Sequence, residues 1–305
     1  MTQNFADRLV EAIDKKRAPC VVGLDSALEA MPKDTLEALE VSLDAPRKVA
    51  AGALLRFNKM VIDVIQDLVP AVKPNAAFYE KYGSDGVLAL EQTVAYAKQK
   101  GLVVILDAKR GDIGNTAQAY AAAYLRDTTS HADYYGQAAD SLTINPYLGE
   151  DTLEPFCKQC VTSGTGVFVL VRTSNKGAAA FQDQLVGEKK IFEIVADSVN
   201  KLAAPLIGKH GYSSIGAVVG ATWPNEAVIL REQMKHVFFL VPGYGAQGGD
   251  VETIKACFDK NGRGAIVNSS RGVLYPQDNS DLNYRERIRA ACEKFVTEVR
   301  NVSGI

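Results

Sequence analysis

The sequence contains few cysteines, little glycine and proline, and almost no net charge. Each of these shortages excludes a class of protein. Five cysteines in 305 residues are too few, and odd in number, for a secreted disulfide framework. Glycine and proline together supply 36 residues, well below the ~25–30% typical of low-complexity chains. With 34 Lys and Arg against 36 Asp and Glu, the net charge is −2, so no bulk attraction to nucleic acid is expected. Any anion that the protein binds must be held by a local site.

Long hydrophobic runs are also missing, because no aliphatic run approaches the ~20 residues that span a bilayer. The N-terminal segment has no apolar signal core, and its apolar residues recur at helical spacing over 5–13, which predicts an amphipathic helix. Cys157 and Cys160 form the one close cysteine pair. Since neither a second pair nor a histidine pair follows at zinc spacing, we interpret them as packed thiols. We expect a soluble cytoplasmic protein with no membrane partner and no resident metal.

The chain does contain a regular alternation of short apolar runs and helical patterns. Most runs are continuously apolar, as expected for strands covered on both faces. They recur about every 35 residues, which suits a unit of one strand and one helix. The predicted strands are Cys20–Asp25, Ala71–Ala76, Val103–Lys109, Ser141–Tyr147, Gly166–Ser174, Ala217–Thr222, Val237–Gly243 and Ala265–Ser270.

Eight such units predict an α/β protein that folds as a single (β/α)8 TIM-barrel domain over residues 1–305. A doubly wound open sheet is the alternative, but it usually has fewer strands and often a glycine-rich dinucleotide turn after the first. Here the first run ends at Asp25 without a GxGxxG pattern. No linker, internal repeat or charge block divides the chain, so we expect one domain.

Polar residues gather where the predicted strands end, which is the side of a parallel barrel that carries the active site. Charge is costly there unless it is paired or functional. The densest group is Asp107, Lys109 and Asp112. Because side chains alternate along a strand, Asp107 and Lys109 should share one face while Ala108 points the other way. With Lys73 from the neighbouring run, these residues predict a charged network that holds an ammonium group in place, or an ion-pair network that only fixes the barrel mouth.

Two segments rich in small residues follow the last two predicted strands. They read V-P-G-Y-G-A-Q-G-G-D over 241–250 and N-S-S-R-G over 268–272. Many barrels bind phosphate at this position through backbone N–H groups and a helix N-terminus. The guanidinium of Arg271 also matches the geometry of a phosphate. The two segments predict a phosphate site, and the glycine-rich one has the flexibility of a lid.

Together these motifs resemble the signature of the orotidine 5′-phosphate decarboxylase family. The central string, I-L-D-A-K-R-G-D-I-G-N-T, alone is less specific, since its D-x-K-x-x-D pattern is shared with related sugar-phosphate enzymes. The long connections 26–70 and 175–214 resemble those of the longer bacterial, type 2-like branch. The matching motifs stand in the family's order at 72–75, 105–116, 172–175, 241–250 and 268–272.

The resemblance implies a reaction and a role for each charged residue. The chain would convert orotidine 5′-phosphate (OMP) to UMP and CO2 in pyrimidine biosynthesis, with no cofactor. Lys109 would protonate the carbon that loses CO2, and Asp107 would lie beside the departing carboxylate. Lys73 would orient Asp107 and contact the ribose. In a homodimer, Asp112 of the partner subunit would complete the network.

The resemblance also implies which residues bind the substrate. Asp25 would bind a ribose hydroxyl, and Ser174 would read the edge of the pyrimidine. Gln247 and Arg271 would hold the phosphate and close the lid. The other candidates are Ile113 and Thr116, which would cross the dimer interface with Thr116 touching the ribose, and Asn75, Ser270 and Gly272, which belong to the matching motifs.

This chemistry suits the residue types. Loss of CO2 from C6 of the pyrimidine leaves an anion in the ring plane, so a fixed ammonium supplies both the countercharge and the proton. Two alternatives stay open. A Mg²⁺-dependent sugar-phosphate lyase or decarboxylase of the same superfamily would need a further acidic ligand where the second strand carries Lys73 and Asn75. A catalytically silent nucleotide-binding protein would have no need of all four charged positions.

Overall fold

The computed structural model describes residues 3–125, 139–244, 251–277 and 282–305, which build a parallel barrel. Eight strands form it, and two further strands, β6 and β7, pair as a separate antiparallel hairpin. The strands are β1 Cys20–Leu24, β2 Ala71–Pro74, β3 Val103–Arg110, β4 Ser141–Ile144, β5 Gly166–Arg172, β6 Leu185–Val186, β7 Lys189–Lys190, β8 Ser213–Val219, β9 Val237–Val241 and β10 Ala265–Ser269.

The barrel is closed, because β1 pairs in parallel with both β2 and β10. Its strand order is β1-β10-β9-β8-β5-β4-β3-β2. The predicted (β/α)8 barrel is therefore confirmed, and the open-sheet alternative is wrong. That one domain extends over all of residues 1–305 stays a prediction.

Each predicted strand overlaps a barrel strand, but the sixth begins earlier than the apolar pattern indicates. β8 starts at Ser213, four residues before the predicted start at Ala217. Ser213 and Ser214 are buried although they are polar, and the Ser213 N–H donates to the carbonyl of His236 at 2.8 Å. The serines interrupt the apolar run in the sequence without interrupting the hydrogen-bonded ladder.

Helices follow the strands and cover the outside of the barrel. The predicted N-terminal helix lies within α1, and the helical pattern at 191–202 lies within α9. Among the described residues, no helix has both the length and the apolar character that crossing a membrane requires. The helices are α1 Phe5–Lys16, α2 Lys33–Ala38, α3 Arg47–Ile65, α4 Ala77–Glu80, α5 Gly83–Gln99, α6 Gly114–Tyr124, α7 Glu154–Ser163, α8 Ala179–Gln182, α9 Ile191–Ala203, α10 Pro224–Gln233, α11 Val251–Cys257, α12 Arg271–Leu274 and α13 Tyr284–Ser303.

Helix α1 closes one end of the barrel. Its apolar face packs against the inward side chains of the strands, and the ring of Phe5 meets Phe168 edge-on with centroids 6.0 Å apart. Gly166, the first residue of β5, makes room for this ring, because a Cβ there would lie 2.1 Å from Phe5 Cδ1. The interior is thus filled at the N-terminal ends of the strands, and the cavity lies at the other end.

The close approach of Phe5 to Gly166 predicts that Gly166→Ala lowers the free energy of unfolding by about 1–3 kcal/mol, the usual cost of overpacking a core. Gly52→Ala in α3 is the matched control. Its Cβ would meet only the end of the Arg56 side chain, at 3.6 Å, so the better helix propensity of alanine should raise stability by about 0.5–1 kcal/mol. Urea unfolding measures both variants. Equal shifts would contradict a packing role for Gly166.

Candidate active site

A cavity of about 440 Å³ opens at the C-terminal ends of the barrel strands. Its two sides differ in chemistry because opposite strands of the ring supply them. Charged side chains come from the ends of β1, β2 and β3, whereas β5, β8 and β9 supply Leu170, Val218 and Leu240. The cavity can therefore hold a molecule with one apolar face and one polar or charged face.

The carboxylate of Asp107 lies at the centre of the charged side. Its Oδ2 is 2.8 Å from Nζ of Lys73, and its Oδ1 is 2.5 Å from Nζ of Lys109. Burial disfavours the charge on Asp107, but the two ammonium groups outweigh it and hold its pKa below the ordinary value. Burial likewise opposes the charge on Lys73, yet Asp107 and Asp25 raise its pKa above the ordinary value. Asp107 and Lys73 therefore form a buried ion pair near neutral pH.

The buried hydroxyl of Thr143 fixes both the carboxylate and the backbone beside it. It donates to Oδ1 of Asp107 at 3.0 Å and accepts from the N–H groups of Ala108 at 3.0 Å and Lys109 at 2.9 Å. These bonds hold Lys109 in the left-handed region, with φ +50°. A non-glycine residue there is strained by about 1–3 kcal/mol unless its surroundings fix it, and here Thr143 of β4 is the group that does so.

The shared face of Asp107 and Lys109 has a different origin from the one predicted. Both side chains line the cavity, as expected, while Ala108 packs against the outer core. However, the strand is not regular at this point: the pairing of β3 with β4 shifts register between Leu106 and Arg110. The register shift and the left-handed backbone at Lys109 replace the simple alternation that the sequence predicts. They place the Lys109 ammonium next to the Asp107 carboxylate.

Asp25 extends the network from the end of β1. Its Oδ1 lies 4.0 Å from Nζ of Lys73. The next residue, Ser26, donates to Oδ1 of Asn58 in α3 at 2.6 Å, and Nδ2 of Asn58 donates to the hydroxyl of Tyr79 at 2.8 Å. Ser26, Asn58 and Tyr79 are all buried. The long connection 26–70 thus braces the strand end that carries Asp25.

β10 and the segments that follow β5 and β10 supply further polar side chains of the rim. Ser174, Ser270 and Arg271 line the cavity, as does the buried Asn268. Oδ1 of Asn268 is buried and receives no hydrogen bond from the described residues. Gly23 of β1 leaves room for the Ser270 side chain, because a Cβ at position 23 would lie 2.0 Å from Oγ of Ser270.

A sequence model of the orotidine 5′-phosphate decarboxylase / HUMPS family matches residues 37–281. A Rhodopirellula baltica protein named orotidine 5′-phosphate decarboxylase is 43% identical over 295 residues, which cover 94% of this chain and 96% of that protein. A Caldicellulosiruptor bescii protein with the same name is 41% identical over 98% of this chain and 99% of its own length. The chain belongs to the orotidine 5′-phosphate decarboxylase / HUMPS family. The resemblance and the predicted enzyme class, a decarboxylase, are confirmed.

Solved structures of the family have the same barrel. The structure of Leishmania donovani OMP decarboxylase superposes with a TM-score of 0.75 at 30% identity, covering 99% of this chain and 100% of that one. The Plasmodium berghei orotidine 5′-monophosphate decarboxylase has a TM-score of 0.78 at 21% identity, a likeness of fold alone. Both likenesses agree with the barrel fold of this family member.

The structure brings most of the predicted site residues to one cavity. Asp25, Lys73, Asn75, Asp107, Lys109, Ser174, Ser270 and Arg271 all line it. Asn75 also has a local task, since its Oδ1 accepts from the N–H of Ala77 at the start of α4 at 3.2 Å. Their roles towards a substrate stay predictions.

Four predicted residues lie outside this lining, and a fifth cannot be placed. Asp112, Ile113 and Thr116 are not among the described residues that line the cavity. Ile113 has 62% of its surface exposed. Gly272 faces a neighbouring depression between α12 and α13. Gln247 falls in 245–250, outside the residues that the structure describes.

Thr143, Asn268 and Tyr244 also line the cavity of this family member, and the sequence alone assigns no role to any of them. Thr143 lies within a predicted strand, and Asn268 is the first residue of the N-S-S-R-G motif at 268–272. One signal was available for both: a polar residue in a run buried on both faces needs a partner. Tyr244 carries no such signal, because tyrosine is common at partly buried positions.

The three hydrogen bonds of the Thr143 hydroxyl predict that Thr143→Val, which preserves shape, lowers the free energy of unfolding by about 2–3 kcal/mol, because it leaves two backbone N–H groups without their acceptor. Thr143→Ser retains the hydroxyl and should lose only about 1 kcal/mol for the missing methyl. Equilibrium urea unfolding of both variants is the measurement. A serine variant as unstable as the valine variant would show that the methyl, rather than the hydroxyl, matters.

Proposed function

We propose that this chain is an orotidine 5′-phosphate decarboxylase, which converts OMP to UMP and CO2. The observation that carries the proposal is the Lys109 ammonium held against Asp107 at a cavity whose opposite side is apolar. The names of the curated relatives support the same substrate. The planar pyrimidine would lie towards Leu170, Val218 and Leu240, with C6 facing the charged side.

In the proposed reaction the bond between C6 and the carboxylate breaks, and its electron pair stays on C6. That pair lies in the ring plane, so the π-system does not delocalise it, and a positive charge beside C6 stabilises it most directly. The ammonium of Lys109 supplies this charge and then donates its proton to C6. The lysine, left neutral, regains a proton from solvent after UMP and CO2 depart.

Asp107 and Lys73 prepare the ammonium for this step. Asp107 stays ionised and fixes the direction of Nζ of Lys109 through their 2.5 Å contact. The substrate carboxylate would lie beside Asp107, so loss of CO2 also removes a repulsion between two carboxylates. Lys73, buried and paired with Asp107, holds that carboxylate in place and reaches towards the ribose.

The remaining candidate residues would bind the parts of OMP that do not react. Arg271 would hold the phosphate with Gln247, and Asp25 would accept a hydrogen bond from a ribose hydroxyl. Ser174 would read the edge of the base. Binding energy from the phosphate can then support the distant chemical step. Asn75, Ser270 and Gly272 are further candidates for substrate contacts.

Asp112, Ile113 and Thr116 form the part of the proposal that needs a second copy of the chain. They lie at or just before the start of α6, and Ile113 and Thr116 are exposed. We propose a homodimer in which these residues reach the cavity of the partner. Asp112 would complete the charged network there, and Thr116 would touch the ribose.

The donor set of the cavity disfavours the Mg²⁺-dependent alternative. Asp25 and Asp107 are the carboxylates among the described lining residues. Lys73 faces both of them, at 4.0 Å and 2.8 Å. A hard cation prefers several oxygen ligands, and here a lysine already neutralises those that are present.

The proposed role of Lys109 predicts that the chain decarboxylates OMP in EDTA and that Lys109→Ala lowers kcat by at least about 10²–10⁴-fold, the usual contribution of a general acid. Arg271→Ala should mainly raise KM. The exposed Lys158→Ala is the control and should keep full activity. CO2 release and loss of substrate ultraviolet absorbance report turnover.

No turnover by the unaltered chain would overturn the function, and turnover only with Mg²⁺ would favour the alternative lyase. A Lys109→Ala variant that retains most of its kcat would leave the function standing but remove this residue from the role of proton donor. Tight UMP binding without turnover would identify a silent nucleotide-binding protein.

The proposed dimer predicts complementation between two inactive variants. A hybrid of one Lys109→Ala chain and one Asp112→Ala chain contains one site with both residues intact. Random mixing makes half of the dimers hybrids, so the mixture should recover about a quarter of full activity. Each variant alone is the control. Recovery no higher than either variant alone would place Asp112 outside the partner's site.

A further inference from the structure

A fully buried arginine at the end of β5 holds the connection 175–214 against the outside of the barrel. Arg172, the last residue of β5, has no exposed surface. Its guanidinium lies 3.2 Å from Asp183 and stacks 4.1 Å above the ring of Trp223. Asp183 follows α8 in the long connection 175–214. A buried charge of this kind is tolerated only with close partners, so Arg172 fastens this connection to the barrel wall.

Gln182, the last residue of α8, forms a second fastening beside the first. Its Oε1 accepts from Nη1 of Arg172 at 3.2 Å and from the backbone N–H of Thr173 at 3.0 Å. Its Nε2 donates to the hydroxyl of Thr173 at 2.8 Å. One amide side chain therefore holds both the backbone and the side chain of Thr173.

Two backbone carbonyls of this segment are held by side chains that follow β8. The carbonyl of Thr173 accepts from Nε1 of Trp223 at 2.9 Å, and the carbonyl of Ser174 accepts from the hydroxyl of Thr222 at 3.1 Å. Gly220 lets the segment 173–174 pack closely against the residues after β8, because a Cβ at position 220 would lie 2.7 Å from the backbone N of Ser174. These hydrogen bonds fix the backbone of 173–174 beside the cavity, next to its apolar side.

We propose that Gln182 is a positioning residue for base recognition. Through Thr173 it sets the place of Ser174, which reads the edge of the pyrimidine. This inference rests on the proposed function and deepens it, because it assigns base selectivity to the long connection 175–214 rather than to the barrel alone. Gln182 lies outside the cavity lining, so it acts on the ligand only through its neighbours.

The test compares two ligands that differ by the base. UMP carries phosphate, ribose and pyrimidine, whereas ribose 5-phosphate lacks the pyrimidine. Gln182→Met retains the length of the side chain and removes all three hydrogen bonds. We expect it to raise the dissociation constant of UMP about tenfold, the effect of losing one net hydrogen bond, and to change that of ribose 5-phosphate less than about twofold. Isothermal titration calorimetry measures both constants.

Gln184→Met is the matched control, because Gln184 is exposed on the same connection and none of the described side-chain hydrogen bonds involves it. Gln182→Glu serves if the methionine variant fails to fold. It retains the acceptor for Arg172 and the Thr173 N–H and loses the donor to the Thr173 hydroxyl, so a smaller loss of UMP affinity is expected, again with ribose 5-phosphate unchanged.

If Gln182 had a purely structural role, its variants would bind both ligands more weakly by the same factor, or would lose stability without a change in either affinity. Either result overturns the proposal. Unchanged UMP binding in both Gln182 variants overturns it as well. These outcomes are distinct from failure of the proposed function, in which the unaltered chain would not decarboxylate OMP.

Discussion

The site depends on one buried carboxylate shared by two ammonium groups. Asp107 pairs with Lys73 and Lys109, and Thr143 donates a third hydrogen bond to it. Without this carboxylate, two positive charges would face each other at the mouth of the barrel, and breaking a buried pair in this way costs about 3–5 kcal/mol. The same contact joins strand ends of β2, β3 and β4, so the charge network and the local backbone stabilise each other.

The two long connections of the chain have a common structural task. Asn58, in the connection 26–70, holds Ser26 next to Asp25. Gln182, in the connection 175–214, holds Thr173 next to Ser174. In each case a side chain from outside the barrel fixes the residue beside a candidate ligand contact. Rigid support of this kind keeps a site within the narrow geometry that binding requires.

The fold could be predicted from the sequence because strands buried on both faces leave continuous apolar runs at a regular spacing. The runs at 20–25 and 103–109 show this most clearly. The start of β8 could not be predicted, because Ser213 and Ser214 interrupt the apolar pattern although both are buried. For the site, the position of Lys73, Asp107 and Lys109 at the predicted strand ends correctly indicated that they lie together. The irregular turn at Lys109 was not foreseen, because a left-handed backbone at a lysine depends on Thr143, which lies more than thirty residues away.

The helix that closes the barrel has a consequence for how the chain is made. Arg8 of α1 pairs with Asp140, 132 residues later, and Asn4 bonds to the carbonyl of Leu206, 202 residues later. At about 5–20 residues per second, α1 leaves the ribosome roughly ten seconds or more before the last of these partners exists. β1 must also wait for β10 before it has its second neighbour. The barrel therefore closes only after nearly the whole chain has been synthesised, and until then the apolar face of α1 needs some other protection from water.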